Sequence, residues 1–320
     1  VTLPLRILRT KEGDENAGKE KEMQERTLGK TGLKVTRLGV GLAEIGSGVD
    51  EAQVAQVLNH ALDSGINFLD TSACYGDSEE LIGRTVSQRR DEYVLATKCG
   101  HIAVGYEGQE WTAQTIQDSI DRSLKRLQTD HLDLVQLHTC GVDVLERGEV
   151  IQALQDAQRA GKTRFIGYSG DNEAAAWAIE SGVFDTLQTS FNLVDQHART
   201  RLFPKAQAKN MGIINKRPIA NGAWGASKSP SGYADRYFER AQVMQGMGPL
   251  PGSVEHRILL ALGFTLAHDA VDTAIVGTQN REHMRMNIEW VNSKLPISPA
   301  IVEELHRRFD EIEEDWVQLS

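Results

Sequence analysis

Residues 66–76 read INFLDTSACYG. The stretch opens as a strand, with Ile66, Phe68 and Leu69 apolar, and then turns polar. Asp70 closes the apolar run and Tyr75 follows five residues later. A carboxylate at the end of a buried strand costs desolvation unless it meets a partner. The next two strand candidates end in the same way: YVLAT (93–97) runs into Lys98, and LDLVQLH (132–138) finishes on His138.

Outward from this stretch, one rhythm covers the chain. Short apolar runs alternate with helical patterns: LGVGL (38–42), NFLD (67–70), YVLAT (93–97), LDLVQLH (132–138), RFIGYS (164–169), TLQTSF (186–191), GIINK (212–216) and TAIVG (273–277). In DEAQVAQVLNHALDSG, the residues Val54, Val57, Leu58, Ala61 and Leu62 share one face, Asp50 can cap the start, and Gly65 sits past the end. In TAQTIQDSIDRSLKRLQ the aligned residues are Ile116, Ile120, Leu124 and Leu127. Strands alternating with helices imply an α/β protein with a parallel sheet, and near-continuous apolar strands fit burial on both faces. Such a sheet is either a closed (β/α)8 TIM barrel or an open doubly wound layer. Eight units, and a length near the roughly 250 residues plus insertions usual for the barrel, favour the barrel. The glycine fingerprint of the open dinucleotide-binding sheet is missing, because GVGLAE (39–44) carries Glu44 where the third glycine belongs. RTLGKTGLKVTRL (26–38) reads as an N-terminal β-hairpin around a glycine turn, closing the barrel bottom.

Composition sets outer limits. The 320 residues are 40% hydrophobic and 25% charged, with a net charge of −10. That balance is globular, and together with the lack of a basic stripe it argues against a nucleic-acid partner. No run of 18 apolar residues suggests a membrane span. Residues 1–24 read as a disordered tail, owing to the charged run TKEGDENAGKEKE (10–22), and 25–320 as a single barrel domain. Met23 is a candidate true start. Cys74, Cys99 and Cys140 form no CxxC pair, which suits a reducing cytoplasm. The three cysteines read as small buried spacers; the other reading is a thiol near Lys98, such as Cys99, with a lowered pKa and open to oxidation. His138 and Cys140 fall one residue short of zinc-ligand spacing, so no metal site is expected. The connection over 217–272 is long for a compact domain. It reads either as a surface excursion with a short helix or as a cover over substrate. Within it Trp224, then Tyr233 and Tyr237, are candidates for touching substrate.

Neighbouring strands lie about 5 Å apart, so Asp70, Lys98 and His138 can meet if they stand at one level. Together they can tune Tyr75. A free phenol has a pKa of about 10, and a lysine ammonium beside it favours the phenolate. Asp70 would hold Lys98 charged, His138 would share a hydrogen bond with the reacting oxygen, and Tyr75 would serve as general acid toward a carbonyl oxygen.

At these residues the chain resembles the aldo-keto reductase family. The likeness runs through RTLGKTGLKVTRLGVG (26–41), INFLDTSACYGDSEELIG (66–83), VLATKCG (94–100), LDLVQLH (132–138), GKTRFIGYS (161–169) and IVGTQNREHMRMNI (275–288). The family's Asp, Tyr, Lys and His tetrad matches Asp70, Tyr75, Lys98 and His138. The resemblance implies NADPH, with NADH as the other option, bound at the C-terminal mouth of the barrel, and reversible reduction of a small-molecule aldehyde or ketone. It implies that Ser169 and Gln188 hold the nicotinamide carboxamide; the usual Asn is Gly170 here, followed by Asp171. An aromatic is missing from INKRPIAN (214–221), where Arg217 can approach the pyrophosphate instead. Gly277 and Thr278 would receive phosphate, and Asn287 matches the adenine contact. His283 stands where the family often has the arginine for the 2′-phosphate, flanked by Arg281 and Arg285. A cofactor-binding regulatory subunit and a phosphate-binding barrel enzyme of another class are the alternative readings. The substrate and the oligomeric state are not legible.

Overall fold

The apolar runs become strands that are covered on both sides, and the amphipathic runs between them become the covering helices. The computed structural model describes residues 23–314 and 316–319. β1 (Glu25–Thr27) and β2 (Lys34–Thr36) form an antiparallel pair. Eight parallel strands follow: β3 (Leu38–Gly41), β4 (Phe68–Asp70), β5 (Val94–Cys99), β6 (Leu132–His138), β7 (Thr163–Ser169), β8 (Thr186–Ser190), β9 (Gly212–Lys216) and β10 (Thr273–Gly277). They close into a barrel in chain order, sealed where Ala274–Gly277 of β10 pair with Leu38–Gly41 of β3. The expected (β/α)8 barrel with its hairpin is therefore the fold.

Side-chain alternation along each strand builds two cores. Phe68, Val94, Ala96, Leu134, Ile214 and Ile275 point into the lower barrel, where Leu28, Leu33 and Val35 of the hairpin plug it. Leu69, Leu95, Val135 and Leu137 point outward into the core shared with the helices. The plug depends on two glycines. Gly29, at φ +47°, lies so close to β9 that a Cβ there would sit 2.2 Å from the Gly212 nitrogen, and a Cβ on Gly212 would meet the Leu28 side chain at 2.7 Å.

The helix patterns follow their predicted faces. Glu51–Asp63 buries Val54, Val57, Leu58, Ala61 and Leu62. Ala113–Leu127 buries Ile116, Ile120 and Leu127, with Thr112 capping its start by accepting from the Thr115 N–H. No helix among the described residues is long and apolar enough to cross a membrane. About half of the 217–272 connection is helical: Asp235–Gly246 packs Tyr237, Ala241 and Met244 inward, and Arg257–Leu266 is the outer-layer helix that leads into β10. The tail expected over 1–24 lies outside the described residues except for Met23 and Gln24. Met23 is buried in the core and the Gln24 carbonyl accepts from the Arg37 N–H, so ordered packing starts ahead of β1.

Candidate active site

The C-terminal ends of β4, β5 and β6 deliver Asp70, Lys98 and His138 to one side of the barrel mouth. They do not stand level. Asp70 registers with Ala96, and Lys98 with Gln136, so each side chain is two residues beyond its neighbour's partner. The long lysine reaches back across this step. Its Nζ donates to Asp70 Oδ2 at 2.6 Å and to the Thr71 carbonyl at 2.8 Å. The same Nζ lies 5.0 Å from the Tyr75 ring centroid. Tyr75 OH faces His138 Nε2 at 3.5 Å, while His138 Nδ1 lies 3.1 Å from Ser72 Oγ and 3.4 Å from Cys74 Sγ. Asp70 and Lys98 are buried, and Tyr75 and His138 are half-buried, so the phenol and the imidazole are the accessible members.

Electrostatics sort the four groups. Burial works against the Lys98 charge, but the Asp70 carboxylate more than offsets it and the ammonium is held above its ordinary range. Burial, then Lys98, holds the His138 imidazole well below 6.5, so it is neutral at pH 7. For Tyr75 the expectation of a lowered pKa is corrected. Burial pushes the phenol above 10.0 and outweighs the lowering effect of Lys98. Tyr75 therefore keeps its proton at neutral pH.

Asp70 also reaches the next group of residues. Its Oδ1 accepts from Gln188 Nε2 at 2.9 Å, and Gln188 Oε1 accepts from Ser169 Oγ at 2.7 Å. Asp171 does not stand in for the missing asparagine. It is paired with Lys216 at 2.9 Å and accepts from Thr189 Oγ1, the Ser190 N–H and Gln318 Nε2. Arg217 donates to Ser190 Oγ at 3.3 Å and to the Leu319 carbonyl at 3.0 Å, close enough to the tetrad to act on His138. Beyond the end of β10 lies a cleft of about 300 Å³. Gly277, Thr278, His283 and Asn287 all line it, together with Arg257 and Trp290. Ser169 and Gln188 near the tetrad, and this cleft with its buried Asn287 amide, form two polar stations on one rim that fit the two ends of an extended dinucleotide.

The sequence model of the Aldo/keto reductase family matches residues 37–306, which takes in the whole barrel. The chain belongs to that family. This aldo-keto reductase is similar to L-galactose dehydrogenase of Arabidopsis thaliana, 29% identical over 285 residues that span 84% of this chain and 88% of the relative. It is similar to 6-dehydroglucose reductase of Novosphingobium aromaticivorans, 29% identical over 267 residues, 79% of this chain and 86% of the relative. A solved aldo-keto reductase from Bacillus halodurans, in its holo form, superposes with a TM-score of 0.77 at 26% identity, covering 89% of this chain and 96% of that one. Family membership makes the protein an oxidoreductase of a kind that works with nicotinamide cofactors.

The remaining candidates of this aldo-keto reductase scatter. Trp224 is buried next to Arg257, which donates to the Trp224 carbonyl. Tyr237 is buried with its phenol opposed to Arg217. Tyr233 is 87% exposed. Arg285 is occupied by Glu282 and Glu289, so Arg257 is the arginine that lines the β10 cleft. Arg257 and Gln318 escaped sequence reading because nothing local marks them. At Cys99 the buried-spacer reading agrees with the structure, and the alternative of a lowered thiol pKa is corrected. Strand alternation turns Lys98 into the barrel and Cys99 out against the helices, where burial raises its thiol pKa. Cys140 is likewise pushed up to about 12 by burial. Among the described residues, no group of three or more His, Cys, Asp or Glu side chains is placed to hold a metal ion.

Proposed function

We propose that this protein reduces aldehyde or ketone carbonyls to alcohols, reversibly, with NADPH as the preferred cofactor and Tyr75 as the proton donor. The observation that carries the reading is the Tyr75–His138 contact beside a lysine locked by Asp70. When bound, the reduced nicotinamide supplies the hydride. Ser169 and Gln188 would hold its carboxamide, Gly277 and Thr278 its phosphates, and Asn287 its adenine. Arg257 and His283 at the β10 cleft would meet a 2′-phosphate.

Tyr75 and His138 converge on the position of a carbonyl oxygen. His138 is neutral and can donate from Nε2, with Nδ1 accepting from Ser72. Tyr75 holds its proton until negative charge develops on that oxygen. The Lys98 ammonium stabilises the phenolate that results. Cytoplasmic residence and a small-molecule carbonyl partner belong to the same proposal.

The test is loss of reduced-nicotinamide absorbance with an aryl aldehyde, in the wild type and in Tyr75→Phe. The variant is expected to lose roughly 10²- to 10⁴-fold in kcat, the usual worth of general acid catalysis, while cofactor still quenches tryptophan fluorescence. Equal turnover by the variant would remove Tyr75 from its role. Tight NADPH binding with no turnover in either protein would instead support a cofactor-binding subunit.

A further inference from the structure

The loop after β5 brings a second histidine to the tetrad. The His101 ring meets His138 edge-on at a centroid distance of 5.3 Å, and Trp111 meets His101 at 4.9 Å. With Tyr75 and His138 at 5.5 Å, four rings form one continuous wall that leads away from the reacting phenol. His101 Nδ1 lies 3.0 Å from Glu110 Oε1, which also accepts from the Ile102 N–H. Burial works against ionisation of Glu110, but these bonds hold its carboxyl below the ordinary range. An ionised carboxylate only accepts, so Nδ1 donates to Glu110 and Nε2 is left for a second hydrogen-bond partner.

The backbone is bent to set this wall. Trp111 is a non-glycine residue at φ 61°. Its ring covers Gly100, at φ 115°, so closely that a Cβ there would lie 2.0 Å from the indole. Left-handed backbone at a bulky residue is strained and persists only where its surroundings hold it. The wall is also reachable, with the His101 and Glu110 side chains 36% and 43% exposed. It therefore offers an imidazole nitrogen, a carboxylate and an aromatic face next to the site of carbonyl reduction. Hydroxyl groups satisfy the first two and a C–H face packs on the third. An anionic substrate would meet Glu110 unfavourably, and a plain alkyl chain would leave the imidazole and carboxylate unused.

We propose that His101, anchored by Glu110 and flanked by Trp111, is a specificity-determining residue that selects carbonyl substrates bearing neighbouring hydroxyls, such as short sugars and hydroxyaldehydes, over plain aliphatic ones. The proposal rests on the reductase reading above. The test compares D-glyceraldehyde with propanal, the same three-carbon chain without hydroxyls, in the wild type, His101→Ala and Glu110→Gln. The wild type is expected to prefer glyceraldehyde. His101→Ala should raise its KM about tenfold, the worth of one half-exposed hydrogen bond, with little change in kcat. Propanal constants should stay within about twofold on the same scale, and Glu110→Gln should give a smaller shift in the same direction. A variant that slows both aldehydes equally through kcat, or leaves their ratio unchanged, overturns the proposal. Should the wild type reduce the aryl aldehyde but neither of these two, the selection proposal is overturned and the reductase reading stands; should it reduce none of the three, the reductase reading falls. The selection is then decided by titrating glycerol against 1-propanol and following tryptophan fluorescence. A glycerol-specific change lost in His101→Ala upholds it, and no such change overturns it.

Discussion

Asp70 uses both of its oxygens, and for different ends. Oδ2 holds the Lys98 ammonium, and Oδ1 accepts from Gln188, which in turn accepts from Ser169. The residue that fixes the lysine thus also orients two side chains proposed to hold the cofactor's carboxamide. Asp70→Asn would keep the shape and remove the charge. Breaking a buried pair by deleting one partner costs about 3–5 kcal/mol, because the other charge stays buried. The variant is expected to unfold at clearly lower denaturant and to bind cofactor more weakly. Adding Lys98→Met should recover much of the stability and none of the activity; paired denaturant titrations check this. Asp70, Lys98 and His138 were legible in the sequence because each is a polar residue ending an apolar strand. Trp111 reads in the sequence as a packing residue or pocket wall, but His101 and Glu110 do not stand out, because their convergence with it depends on left-handed backbone at Gly100 and Trp111 that no periodicity announces.

At the scale of elements, the helix Pro299–Ile312 is joined to Arg257–Leu266 and the turn after it by an imidazole pair. His268 Nε2 and His306 Nε2 stand 2.9 Å apart, and His268 Nδ1 donates to the Phe264 carbonyl. Two protonated rings cannot share that contact. Burial, with Arg199 and His268 adding to it, pushes His306 down to about 4, and burial likewise lowers His268. Both pKa values lie below the unfolded 6.5, so between those values the unfolded chain binds more protons than the folded one. Stability is then complete above about pH 6.5 and is lost as pH falls toward 4. The melting temperature should fall over that window, and His306→Gln should flatten the slope; thermal scans at stepped pH measure it. The strands of this barrel were readable because burial on both faces writes apolar runs. Arg257–Leu266 is not legible as an amphipathic helix because RILLALGFTL is apolar on nearly every side and shows no stripe.

At the scale of the whole molecule, residues 316–319 cross from the end of that last helix to the barrel mouth. Gln318 Nε2 reaches Asp171, Thr189 Oγ1 and the Ser190 carbonyl, and the Leu319 N–H donates to Asp195 at 2.7 Å. Arg240 lies over the Trp316 ring at 4.7 Å. Gln318→Ala should leave the barrel folded but loosen this strap, with faster proteolysis after the last helix and weaker cofactor binding. Unchanged proteolysis would count against a holding role. No sequence signal points to Gln318, since Asp171 lies 147 residues away. The barrel seam carries a different consequence. Chains leave the ribosome N-terminal end first, and β3 finds its second neighbour only when β10 emerges. Until then the growing sheet presents two bare edges of unpaired N–H and C=O groups, a template for strands of other molecules. β4, β5 and β6, with Asp70, Lys98 and His138, are already out, whereas Gly277 and Thr278 arrive with the closing strand itself. The nascent protein thus owns its proposed proton-transfer groups well before it owns the β10 cleft, and the strand that seals the sheet against aggregation is the one that carries Gly277 into that cleft.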